Sequence, residues 1–276
     1  MQNKRDLNEE DMLTWQDGLK LINETNSVQI KAIIALQLDA GLRPSEFVNL
    51  NYEDVKQKGD FLVVNVREGK TGKREFPTWR CVPFVLKWLA SHKTKKSKDP
   101  LWTQETQTNG KIKRYEYPAL LKRINDLKKT ANLKQPVDFY NLRHSSCYLD
   151  KLDNLPLDIA ASRHGHSVKF FVEVYGRLGV DDIINRIKKH NGADVQERKK
   201  AEQNITCPRC SFINAPHSEI CEHCGAALSM KKALEVEKDK NERIKELERQ
   251  ITEMPQMILE MIKNKESVLE VMKAKN

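Results

Sequence analysis

No stretch of this chain carries the run of apolar residues that a signal peptide needs, and its longest apolar helical pattern, KAIIALQL, is far too short to span a bilayer. Export and membrane insertion are therefore set aside, and the cytoplasm is the expected location. No internal repeat is visible either, so 276 residues imply one sizeable domain with accessories. Cysteine is sparse. Of six cysteines, four stand in two CxxC pairs, which in a chain without an export signal favours metal binding over disulfides.

Charge is present in excess and unevenly placed. The net charge is +9; residues 201–230 hold one Arg against three Glu, and residues 231–276 hold 11 basic against 10 acidic side chains, which leaves about +10 on residues 1–200. A basic surplus confined to one region suits phosphate-backbone binding, because neutralised phosphates release condensed counterions. A solvated lysine face would give the same balance, so motifs must decide.

Periodicity predicts a mainly helical first domain. Ile30, Ile33, Ile34 and Leu38 recur at helical spacing up to Ala40 and Gly41, and Arg43 falls at a turn with Pro44 opening a second helix. FLVVNV at 61–66, the turn GKTG and KREFP read as a β-hairpin with Lys70 and Lys73 at its tip. Helices are expected near 82–92, 117–131, 139–152, 156–163 and 180–190, with loops around KTKKSKD and 103–113. In the tail, Ile244, Leu247, Ile251, Met254, Ile258 and Met261 keep the alternating spacing of a coiled-coil seam, and Pro255 is expected to kink or end it.

Three frames then stand in order: GLRPSEFVNL around Arg43, DFYNLRHSSCYL around Arg143, and RHGHSVKFFVEVYGRL, in which Tyr175 follows His166 by nine residues. Together they resemble the tyrosine recombinase or phage integrase family over roughly residues 6–190. The cysteine tail resembles the zinc ribbons that end many archaeal members. The resemblance implies an α+β fold, a mainly helical catalytic core with a small antiparallel sheet, followed by a zinc ribbon and a C-terminal helix. With the polar stretch before the cysteines read as a linker and the seam spacing as a helical tail, the chain divides into a catalytic domain at 1–192, a linker at 193–205, a ribbon at 206–229 and a helical tail at 230–276.

The chemistry implied is strand transfer on double-stranded DNA without a metal or nucleotide. Tyr175 would be the nucleophile, because a phenol ester of phosphate stays reactive and can later be displaced. Arg43 and Arg143 would hold the charged phosphorane, since guanidinium groups are planar, always charged and bidentate. Lys70, with Lys73 as runner-up, would protonate the leaving 5′ hydroxyl. His166 would hydrogen-bond the phosphate or help Tyr175 lose its proton, and Glu46 would buttress Arg43. One position departs from the family's commonest HxxR: YNLR puts Tyr140 where histidine is usual, and a phenol of pKa about 10 is a poor base at neutral pH although it can donate a hydrogen bond. Some archaeal members share YxxR. His144 and His164 are alternative bases, but as helix neighbours of other site residues they are expected to point elsewhere.

Cys207, Cys210, Cys221 and Cys224 form CxxC, ten residues, CxxC, the donor set of a closed and therefore structural zinc site, with His217 and His223 as bystanders and Cys81 and Cys147 as buried thiols. A protein partner for the ribbon or tail, and self-association on DNA at the nucleoid, complete the expectation. Family members usually carry a helical DNA-binding domain ahead of the catalytic one, and Arg43 arrives too early for it here, so weaker, salt-sensitive DNA binding is expected. Two other classes compete: an accessory protein of the same fold that no longer cuts, and an adaptor acting through ribbon and tail.

Overall fold

The computed structural model describes residues 7–69, 72–104, 113–175, 178–192 and 203–273, with backbone only from 254 onward. The chain forms two compact units, one of residues 1–206 with Phe212–Pro216 and one of Cys207–Ser211 with His217–Asn276. Among the described residues no helix is long and apolar enough to cross a membrane.

The first unit is built around one buried helix. α1 (Trp15–Asn23) starts at Thr14, whose hydroxyl accepts from the Asp17 amide while Asp17 reaches back to the Thr14 amide. α2 (Val28–Ala40) is capped by Ser27 and buried on nearly every face, so its sequence is apolar beyond the single stripe read above. α3 (Pro44–Val48) follows at once, with proline at its first position where a missing N–H costs nothing.

β1 (Val55–Lys58), β2 (Phe61–Val66) and β3 (Arg74–Thr78) form an antiparallel meander in which Leu62, Val64 and Val66 alternate inward. The predicted hairpin is therefore two strands of three. VKQK was missed because a short edge strand exposed on three of its four residues has little alternation to reveal it.

α4 (Val82–Ser91), α5 (Tyr117–Thr130), α6 (Phe139–Leu152) and α7 (Leu157–His164) lie within a residue or so of expectation. α8 (Val168–Val174), capped by Ser167, was not foreseen, and α9 (Val180–His190) was. The core joins α2, α4, α6 and the sheet, and Phe47 stacks on Trp102 and meets Phe139 edge-on, each at 5.0 Å between centroids. β4 (Ile205–Thr206) and β5 (Ile213–Asn214) pair as a two-residue ladder that belongs to this unit, with Ile213 in its core.

In the second unit α10 runs from Met230 to Lys273 without a break at Pro255. The expected stop is absent. Proline removes one intrahelical hydrogen bond, but strong helix formers extend for many residues on both sides and carry the helix through.

Candidate active site

The geometry begins at Gly41, which ends α2 with φ +56, and a Cβ there would lie 2.8 Å from the Ser146 Cβ and 2.9 Å from the His164 Nδ1. Only glycine tolerates both the left-handed backbone and that close approach to α6 and α7. The chain then turns so that Leu42 enters the core and Arg43 caps α3.

Glu46, buried one turn into α3, collects the charges around it. Its carboxylate accepts the Arg43 amide at 3.0 Å, Arg43 Nη1 at 2.8 Å, and both terminal nitrogens of Arg74 at 2.9 and 2.7 Å. Burial alone would raise its pKa, but the hydrogen bonds from Arg74 and Arg43 outweigh it and hold the group down to about 2. Glu46 therefore fixes two guanidinium groups, of which sequence reading found one. Arg74 has no motif; it arrives because β3 pairs it with Val66, and its Nε also donates to the Arg163 carbonyl at 3.4 Å.

Gly69, at the base of the hairpin tip, packs so closely on Glu46 that a Cβ would lie 2.8 Å from its Oε1. Lys70 lies outside the described residues. Lys73 is exposed.

α6 carries Tyr140, Arg143 and His144 on one face because residues three and four apart share a side of a helix. Arg143 is buried; Nη1 donates to the Gly41 carbonyl, and Nη2 to the His164 carbonyl at 2.8 Å and to His166 Nε2 at 2.5 Å. Arg43 Nη2 reaches the Gly165 carbonyl at 3.4 Å, so the two arginines bracket the same turn. That turn exists because Gly165 ends α7 at φ +67.

His166 is pushed down to about 3 by burial and by Arg143 and Arg43, and is neutral at pH 7. A guanidinium only donates, so Nε2 must accept and the ring proton sits on Nδ1, available to a phosphate oxygen.

Tyr175 ends α8 half-buried, its amide bonded to the Phe171 carbonyl at 3.2 Å and its carbonyl taking the Lys151 Nζ at 2.5 Å. Its ring stacks on His166 at 4.5 Å and lies 5.5 Å from the Arg143 guanidinium carbon. Thus Arg43, Arg143, His166 and Tyr175 meet in one cluster, with exposed Tyr140 at its edge.

His144 departs from expectation. Rather than pointing away, its ring lies 4.4 Å from both Tyr140 and Tyr175, and its buried Nε2 has no hydrogen-bond partner among the described residues. Burial and Arg143 lower its pKa to about 4, whereas burial, Tyr175 and Asp138 raise that of Tyr140. The signal was present in the sequence, since 140 and 144 are one helical turn apart.

Beneath the cluster lies a buried ion network that sequence gave no hint of. Arg163 bonds Asp150 at 2.5 Å and Asp39 at 3.1 Å, His164 Nε2 meets Asp150 at 3.0 Å, and Arg80 joins Asp39 at 3.4 Å. Trp79 lies 4.5 Å from the guanidinium carbons of both Arg80 and Arg163. The network fixes the end of α7, whose carbonyls hold Arg143 and Arg74.

In the second unit the sulfurs of Cys207, Cys210, Cys221 and Cys224 lie within 4.8 Å of one another, a group that can hold a metal ion. Cys207 to Cys224 is 3.7 Å and Cys210 to Cys221 is 3.6 Å, too long for disulfides. Cys81 and Cys147 are buried thiols, as expected.

A mainly helical domain with a small antiparallel sheet, arginines bracketing the Gly165 turn and a half-buried tyrosine at a helix end define a class that comparison with known proteins makes specific. The description of the phage integrase family matches residues 11–179, and the chain belongs to that family, the tyrosine recombinases. It is 35% identical over 102 residues to tyrosine recombinase XerA of Pyrococcus horikoshii, covering 37% of this chain and 34% of that protein. It is 26% identical over 183 residues to a tyrosine recombinase of Thermosipho africanus, covering 65% of this chain and 61% of the relative. The chain thus spans from a third to three fifths of these curated relatives. The crystal structure of XerA recombinase superposes with a TM-score of 0.55 at 19% identity, over 70% of this chain and 66% of that one. XerH recombinase in a post-cleavage complex with palindromic difH DNA gives 0.51 at 16% identity, over 69% and 57%. These two likenesses establish the fold.

Proposed function

We propose that this protein is a site-specific DNA recombinase that cleaves and rejoins strands of duplex DNA through a 3′-phosphotyrosyl link. The observation that carries the reading is the single cluster in which two arginines held at the Gly41 and Gly165 turns meet His166, and the half-buried Tyr175 phenol packs against Arg143, His166 and a second neutral histidine, His144. The Tyr175 phenol oxygen attacks phosphorus, the bond from phosphorus to the 5′ oxygen breaks, and Lys70 protonates that oxygen. Arg43 and Arg143 stabilise the charge that develops on the non-bridging oxygens, and His166 donates from Nδ1. Tyr140, a weak base, serves as a hydrogen-bond donor. His144, neutral and with its ring 4.4 Å from that of Tyr175, accepts the Tyr175 proton once the phenol hydroxyl turns within hydrogen-bond reach and the entering phosphate offsets the charge of Arg143. Attack by a new 5′ hydroxyl reverses these steps and rejoins the strand.

A nicked suicide substrate, from which the cleaved 5′ end diffuses away, tests this. Wild type should accumulate a covalent protein–DNA adduct and Tyr175→Phe should give none. Equal adduct from both would remove Tyr175 as nucleophile; tight duplex binding with no adduct from either would favour the accessory reading. The four cysteines suit structural Zn2+, because tetrahedral thiolate ligation at 2.3 Å places sulfurs about 3.8 Å apart, close to the separations above. That closed set leaves no open ligand position and no part in strand transfer.

A further inference from the structure

From Ala233 to Glu253 every side chain of α10 is exposed, on a helix of 44 residues, about 66 Å long at 1.5 Å per residue. A helix polar on all faces can stand in water alone, but this one is not polar on all faces. Ile244, Leu247 and Ile251 are 42, 48 and 63% exposed, and with Met254, Ile258 and Met261 they occupy one seam of a seven-residue repeat. With Ile244 at a, all three a positions are isoleucine and the d positions are leucine, methionine and methionine. A β-branched residue at a with leucine at d favours two parallel strands, the pattern of Ile244 and Leu247, and no d position here carries the β-branched residue that would favour more.

The charges on α10 follow the same frame. Its described ion pairs within the helix, Lys232 with Glu235, Lys238 with Glu242, and Arg249 with Glu246 and Glu253, all lie at b, c or f, away from the seam, and Lys232 also pairs with Glu219 ahead of the helix. Arg243 at g and Glu248 at e flank the seam, and neither enters an ion pair among the described residues. In a parallel, in-register pair a g residue faces the e residue of the next heptad across the interface. Arg243 then meets Glu248 of the partner subunit, and the symmetric contact repeats it.

We propose that α10 pairs with α10 of a second copy of this chain as a parallel two-stranded coiled coil centred on residues 244–261. The pairing forms without DNA and does not depend on the strand-transfer reading. It would hold two catalytic units at high local concentration, so that the second arrives on a target by an intramolecular step.

Sedimentation velocity on the full, metal-loaded chain without DNA tests the proposal. Wild type should show a reversible monomer–dimer equilibrium. Leu247→Glu with Ile251→Glu should be monomeric with an unchanged far-UV spectrum, since both positions are exposed. Arg243→Glu should weaken the dimer by roughly three- to tenfold at low salt, adding Glu248→Arg should restore it, and Pro255→Ala should tighten it. A wild type that stays monomeric at all concentrations, a dimer that survives the seam variant, or an assembly larger than two would overturn the proposal. Failure of the double charge reversal to restore the dimer would overturn the parallel register.

Discussion

In the first unit Asp39, Asp150, Arg80, Arg163 and His164 pair with one another in an interior that also holds a continuous apolar core, whereas in the second the only buried residues among those described are Cys207 and Cys221. One unit is held by many mutually dependent contacts, the other by four thiolates and whatever they bind. The first should fail only when it is broken from within, and the second when a single ion leaves.

Metal removal is accordingly the sharpest way to separate them. Structural zinc in small cysteine modules contributes on the order of 10 kcal/mol, far more than the buried surface here can replace. A strong chelator should release amide protection through the cysteine module, including the Cys221 amide bonded to the Ala226 carbonyl at 2.7 Å, while protection in α2 and α6 persists. Hydrogen exchange read by mass spectrometry checks this, and loss of protection in both units together would show that they are one cooperative body.

The reverse experiment is Asp150→Ala. It removes the carboxylate that Arg163 and His164 now bond at 2.5 and 3.0 Å, leaving Arg163 with Asp39 alone and His164 Nε2 without its partner in the interior. Breaking one side of a buried ion pair costs about 3–5 kcal/mol, and urea denaturation should register it with metal content unchanged. A cost below about 1 kcal/mol, the range of surface pairs, would mean water already screens the network.

Acid should weaken the first unit earlier than its carboxylates alone would. His144 and His164 are lowered to about 4 and His166 to about 3, chiefly by burial, while Glu46 and Asp150 are lowered to about 2 by their partners against burial. Between the ordinary histidine pKa of about 6.5 and those lowered values the unfolded chain binds protons that the folded one refuses, so stability falls as pH drops through that window. The carboxylate contribution is complete above about 4.5 and disappears as pH falls toward 2. Thermal melts from pH 7.5 downward should show the decline beginning near 6.5, and His164→Phe should flatten its upper part.

The candidate site was singled out through the family's frames, and several of its side chains also sit at local landmarks. Arg43 follows a helix-ending glycine and precedes a helix-opening proline, Arg143 and Tyr140 share a helical face, and His166 follows Gly165. Each is a local pattern that sequence displays. Arg74, Asp39 and Asp150 were invisible for the opposite reason: their partners lie from 13 to 124 residues away, and no local rule says which of many charges will be buried together. The continuous α10 was misjudged from one residue, Pro255, where long helix-forming flanks decide.

His144 offers the finest test of the contrast between support and chemistry inside the first unit. If it only fills space between Tyr140 and Tyr175, His144→Phe should preserve the stack and the rate of adduct formation. If its nitrogen takes the phenol proton, the same variant should fold and bind duplex normally yet form adduct more slowly by about 10- to 100-fold, the range of a lost general base. His144→Gln, which restores an acceptor but not a titrating ring, should recover positioning without proton transfer and fall between the two. Single-turnover adduct rates measured beside equilibrium DNA binding separate these outcomes. A slow variant that also binds weakly would return His144 to a packing role, because a lost base slows the chemical step and leaves affinity untouched.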